Sequence, residues 1–95
     1  MAFILLFTAQ ANKALADSKR DNRKYRKIVG CLAKIEQDPA YPGLHSHAFD
    51  AIKGVLGEKV WESYVENNTP SAWWVWWYYG PLAGEITIYD IGPDP

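Results

Sequence analysis

Hydrophobic and polar positions alternate every second residue in the C-terminal third of the chain and recur at three- and four-residue intervals nearer the N-terminus. In KVWESYVE (59–66) the alternation puts Trp61, Ser63 and Val65 on one side of an extended chain and Glu62, Tyr64 and Glu66 on the other. A strand is predicted there. The next stretch, WWVWWYYG (73–80), also reads as extended, with Trp73, Val75, Trp77 and Tyr79 pointing one way and Trp74, Trp76 and Tyr78 the other. Both of its rows are aromatic. A last strand is predicted over Glu85 to Ile91, with Ile86 and Ile88 opposite Thr87 and Tyr89. Asn67-Asn68-Thr69-Pro70 and GPLAG (80–84) supply the turns between these strands.

The helical signal lies earlier. Tyr25, Ile28, Val29, Leu32 and Ile35 form an apolar stripe at helical spacing that ends before Asp38-Pro39. An Ala-rich segment from Ala9 to about Ser18, with Ala11, Ala14 and Leu15 on one face, predicts a shorter helix capped by the Thr8 hydroxyl. Phe3 to Phe7 is a strand candidate, DPAYPGLHSH (38–47) a loop, His47 to Ile52 a short strand, and Gly54 to Gly57 a turn. The order strand, helix, helix and then antiparallel strands predicts a single α+β domain over residues 1–95, one twisted sheet carrying both helices on one face. The apolar row Trp61, Ser63, Val65, Ile86 and Ile88 packs on the helices in this reading, and Glu62, Tyr64, Glu66, Thr87 and Tyr89 share the helix-free face.

Composition adds limits. An apolar fraction of 48% and a charged fraction of 22% are those of an ordinary globular protein. The opening MAFILLF has no basic n-region and is too short to span a bilayer, so it reads as a strand rather than a signal or anchor. The lone Cys31 cannot form an internal disulfide and sits beside the helical stripe, as a buried structural thiol does; a cytoplasmic location is the expectation. The net charge of −1 conceals an asymmetry: all 10 Lys and Arg lie in residues 1–59, whereas residues 60–95 hold five acids and no base. Any site built from the C-terminal strands is therefore acidic and aromatic unless the first half lends it a cation. The basic run KRDNRKYRK (19–27) is diluted by Asp17 and Asp21 and reads as a solvated helix face.

The segments LHSHAFDAIKG, EKVWESYVEN and AWWVWWYYGP followed by EITIYDIGPDP resemble the RelE/ParE toxin superfamily of toxin–antitoxin systems, in particular a branch of small bacterial proteins. The resemblance spans nearly the whole chain. It implies a two-helix hairpin on a twisted antiparallel sheet, a helix-free face that holds messenger RNA in active members, and an antitoxin that wraps the toxin. The branch's motif R-V-[FY]-W falls on Trp74, Val75, Trp76 and Trp77, and its T-P-H-P-like tail on Gly92, Pro93, Asp94 and Pro95. Trp74 thus stands where a cation is expected and Asp94 where a histidine is expected. Since position 74 belongs to the functional face, Trp74, Trp76 and Tyr78 become the open row.

Metal-independent RNA cleavage needs a base, an acid and a cation for the phosphate charge. Candidates are His45, His47 and Lys53, with the two histidines facing one way on an extended segment. Glu62 and Glu66 on the same face would repel phosphate. No metal-ligand spacing such as HExxH or CxxC occurs, and no cofactor is implied. Tryptophan and tyrosine dominate binding hot spots, so the expected partner surface comprises Trp74, Trp76, Tyr78, Tyr64, Tyr89, Glu62, Glu66 and Asp94. Its acids would select a basic protein: an antitoxin segment, or an unrelated cationic protein if the scaffold has been re-engineered as a binder. The alternative is an active endoribonuclease toxin with RNA or the ribosome as target, and no membrane role is expected in either case.

Overall fold

The computed structural model describes residues 2–66 and 72–93. Strand β1 (Ile4–Phe7) leads directly into helix α1 (Ala9–Ser18), followed by helix α2 (Asn22–Gln37), a 3₁₀ turn (Pro42–Leu44), and strands β2 (His47–Lys53), β3 (Lys59–Tyr64), β4 (Trp73–Tyr79) and β5 (Glu85–Pro93). Thr8 holds the extended conformation of a helix cap, and its Oγ1 accepts from the Ala11 N–H at 3.1 Å. The same hydroxyl donates to the Tyr89 carbonyl at 2.6 Å, which fastens the start of α1 to β5. Asp21 caps α2 in the same manner through the Lys24 N–H.

The five strands form one mixed sheet in the order β1-β5-β4-β3-β2. The four C-terminal strands run antiparallel as expected, whereas β1 joins β5 in parallel at the edge, Ile4 opposite Glu85 and Phe7 opposite Ile88. Ile28, Cys31, Leu32 and Ile35 of α2 and Ala11 of α1 pack on Val75, Trp77, Ile86, Ile88 and Ile91, with Trp61 and Val65 at the margin. Both helices therefore cover one face, and the row parity read from the sequence holds there.

Irregularities in two strands shape the other face. Along β5, Asp90 pairs with Trp76 but Ile88 pairs with Trp77, so Tyr89 is an extra residue that shifts the alternation. Ile88 and Ile91 consequently both reach the helix side. On β2, Ala48 pairs with Trp61 and Lys53 with Lys59, so the middle of β2 bulges away from the regular ladder. Phe49 and Ile52, carried on that bulge, pack against the aromatic row of β4.

Candidate functional site on the helix-free face

Trp74, Trp76 and Tyr78 lie on the side away from the helices, as the row assignment predicted, but they are not open. Their exposures are 7%, 5% and 5%. With Val60 they make a second small core, roofed by Phe49, Ile52, Tyr64 and Tyr89. Phe49 lies 5.9 Å from Trp76 between ring centroids and Tyr64 lies 4.0 Å from Trp74. The expectation of a bare aromatic patch is thus corrected: the bulge in β2 and the flanking tyrosines bury the rings, because apolar rings left in water would forfeit the stabilisation that contact provides. What the face presents instead is half-buried Tyr64, Tyr89, Phe49 and Ile52, together with exposed His47.

Glu62 is the polar centre of this face. It is buried, and its two carboxylate oxygens are both used: Oε1 lies 2.6 Å from His47 Nε2, and Oε2 accepts from the Trp76 indole N–H at 2.8 Å. Cross-strand register makes this arrangement possible, since His47 and Trp76 flank Glu62 on either side, directly opposite it in β2 and β4. A buried carboxylate persists only when its lone pairs are matched in this way. The Trp74 indole N–H, also buried, meets no acceptor among the described residues.

The nominated catalytic groups are only partly brought together. His45 adopts a left-handed conformation (φ 48°) at the end of the 3₁₀ turn, and its ring sits edge-on to Tyr64 at 5.3 Å. His47 stands edge-on to Trp74 at 5.4 Å, and its Nδ1 lies 3.3 Å from the His45 carbonyl. Both nitrogens of His47 therefore face acceptors, one a carboxylate and one a carbonyl. Lys53 pairs with Lys59, three residues along β3 from Glu62, which is about 10 Å by strand rise. It does not join the histidines.

Glu66 departs from its expected place. It lies beyond the end of β3, where the alternation no longer governs direction, and turns towards α2 to pair with Lys24 and, at 3.2 Å, with Lys27. Lys24 also lies over the Trp73 ring at 5.1 Å. The Lys24 hydrogen bond, aided by Lys27, holds the Glu66 carboxyl below the usual carboxylate range. Two cations of the basic run are thereby engaged within the fold. Asp94 falls outside the described residues. Among the described residues no three His, Cys, Asp or Glu side chains converge as a metal site, and no helix is long and apolar enough to cross a membrane.

One feature of this face escaped the sequence reading. Phe49, Ile52, Trp76 and Asp90, with Ile91, Gly92 and Pro93, line a crevice of about 280 Å³. It is apolar along its walls, with a carboxylate among them. Regular alternation along β5 would put Asp90 with Ile86 and Ile88, and the extra residue at Tyr89 brings it opposite Trp76 instead.

No protein-family model matches the sequence, and no curated protein matches it either. Solved structures do. The chain superposes on the YoeB/ParE toxin from Agrobacterium tumefaciens with a TM-score of 0.73 at 13% identity, covering 97% of this chain and 99% of that one. The archaeal RelE–RelB complex from Pyrococcus horikoshii OT3 gives a TM-score of 0.70 at 15% identity, over 98% and 96%. The E. coli DinJ–YafQ toxin–antitoxin complex gives 0.69 at 10% identity, over 98% and 93%. The protein has the RelE/ParE-like toxin fold.

Proposed function

We propose that this toxin-fold protein acts by binding a protein partner, an antitoxin-like chain, on its helix-free face, with RNA cleavage weak or absent. The observation that carries the reading is the crevice of about 280 Å³ lined by Phe49, Ile52, Trp76 and Asp90. A lysine or arginine of the partner would lay its aliphatic stem along the three apolar side chains and bring its charge to the Asp90 carboxylate. Half-buried Tyr64 and Tyr89 on the same face offer further contact area with little ordering cost. The RelE–RelB and DinJ–YafQ structures are complexes of related folds with their antitoxins, which supports a protein partner of that kind.

Weak or absent cleavage is supported by the groups that the described residues bring to this face. The resemblance puts Trp74 where the family's arginine is expected, both nitrogens of His47 face acceptors, and the nominated Lys53 lies at the far end of β2. A toxin-like protein of this kind would work in the cytoplasm beside its partner. The test is affinity capture from the source cells with wild-type protein and with Asp90→Asn and Phe49→Ala variants. A partner bearing a basic segment, retained by the wild type and released by both variants, is expected. Cleavage of messenger RNA by the purified protein, abolished by His47→Ala, would overturn the reading in favour of a nuclease.

A further inference from the structure

Asp90 alone is charged among the residues that line the crevice of the helix-free face, and no lysine or arginine pairs with it among the described residues. Its carboxylate is already oriented. Oδ1 accepts the Ile91 N–H at 2.8 Å, which fixes the group against its own backbone, and Oδ2 takes no hydrogen bond among the described residues. The rest of the lining is apolar. Within it the rings of Phe49 and Trp76 stand 5.9 Å apart between centroids, inclined at 57°. Gly92 keeps this space clear: a Cβ there would lie 4.0 Å from Cζ3 of Trp76, in contact with the ring. Gly92 is not among the glycines of positive φ, so it is the room beside Trp76, and not the backbone, that a larger residue would take away.

The two basic side chains fare differently against such a lining. An ammonium is compact and strongly hydrated, and the side chains here offer its three donors a single free carboxylate oxygen. A guanidinium is planar and more weakly hydrated. Its faces carry no hydrogen-bonding groups and lie on aromatic rings, while its edge donates to a carboxylate. A crevice with two rings for walls and one acceptor at the side matches the second shape.

We infer that the crevice selects arginine over lysine, stacking the guanidinium on Phe49 and Trp76 with its edge on Asp90. The inference rests on the proposed reading of this crevice as the seat of a basic partner side chain and names which side chain that is. The full chain is titrated with capped alanine peptides whose central residue is arginine, lysine or citrulline, following the Trp76 indole N–H and the Gly92 amide by NMR. The arginine peptide is expected to move both signals and to bind about fivefold more tightly than the lysine peptide, the ratio that one cation–π contact at a partly exposed site gives. Citrulline keeps the plane without the charge and should bind more weakly than arginine. Asp90→Asn should bring the arginine peptide down to the citrulline level. Phe49→Leu should shrink the preference for arginine while leaving lysine binding unchanged, and Gly92→Val should abolish arginine binding while circular dichroism stays native. A lysine peptide that binds as tightly as arginine overturns the inference and leaves the basic-partner reading standing. No shift with either cation overturns both. Arginine binding that survives Gly92→Val, or a preference that Phe49→Leu does not reduce, places the guanidinium elsewhere and overturns the inference as well.

Discussion

The indole of Trp76 donates its N–H to Oε2 of Glu62 at 2.8 Å, across a cross-strand pair in which both residues are buried. Removing the carboxylate leaves that donor in a dry site without a partner. Glu62→Ala is therefore expected to destabilise the fold by about 1 to 3 kcal/mol, the usual cost of a buried unsatisfied polar group. Glu62→Gln keeps an acceptor for the indole and should cost less. Urea unfolding checks the difference as a shift in midpoint at constant slope, and equal midpoints for the alanine variant and wild type would show that the bond contributes nothing.

On the other side of the sheet, Ser63 has a comparable role. Its hydroxyl is fully buried, accepts the Trp77 indole N–H at 2.7 Å and lies 2.6 Å from the Ser46 hydroxyl. Ser63→Ala should cost about 1 to 3 kcal/mol for the same reason. Ser46→Ala should cost less, because Ser63 would still satisfy the indole. The two midpoints measured side by side decide whether Trp77 or the serine pair is the partner that matters.

Trp74 stands where the resemblance expects an arginine, and restoring that charge is expected to damage the fold rather than revive chemistry. The ring is 7% exposed and packed against Tyr64 and His47, and the buried carboxylate of this face, Glu62, already has both oxygens occupied. Trp74→Arg should lose on the order of 3 kcal/mol, because it forfeits the packing of a buried ring and places a charge without a partner in a dry site. Thermal unfolding measures the loss. An arginine variant as stable as wild type would mean that the site can open, and that the face is less sealed than its packing indicates.

Most of the architecture was legible because the two periodicities of the backbone are local. The stripe Ile28, Leu32, Ile35, the cap at Thr8 and the two-row split of β4 follow from spacing alone, and the resemblance at position 74 assigned Trp77 to the helix side and Trp76 away from it. The burial of Trp74, Trp76 and Tyr78 was not legible. It depends on Phe49 and Ile52 reaching over the face from a bulge in β2, and on Tyr89 being an extra residue in β5. A bulge is a mismatch between two strands, so neither strand's own pattern records it. Glu66 was misplaced for a simpler reason: the ordered strand stops at Tyr64, and alternation carries no direction past a strand end. The parallel pairing of β1 likewise depends on which edge the first strand reaches, a tertiary matter.

Cys31 offers a test of the helix-side core. Burial pushes its thiol up to about 12, with Lys34 opposing only in part. At pH 8 the reactive thiolate is then scarce and the sulfur is enclosed, so the native protein should be inert to a disulfide reagent and react with one equivalent once unfolded in guanidinium. Rapid labelling of the native protein would show that α2 does not pack on β4 as described.

The Glu66 carboxyl gives the fold a defined acid response. Its value in the folded state is lowered, first by the Lys24 hydrogen bond and then by Lys27, relative to an unfolded value near 4.3. A carboxyl of lowered folded value contributes stability that is fully present above the unfolded value and disappears as pH falls through the folded one, since the unfolded chain then binds the proton more readily. The stability gap between wild type and Glu66→Gln should accordingly be constant near neutrality and close as pH is taken below about 4. Lys24→Met should remove most of that pH dependence and Lys27→Met a smaller part, following the order of their effects on the carboxyl. Denaturant titrations at several pH values for the three variants and the wild type measure this directly. A gap that persists unchanged to pH 2 would place Glu66 away from α2 and return it to the helix-free face.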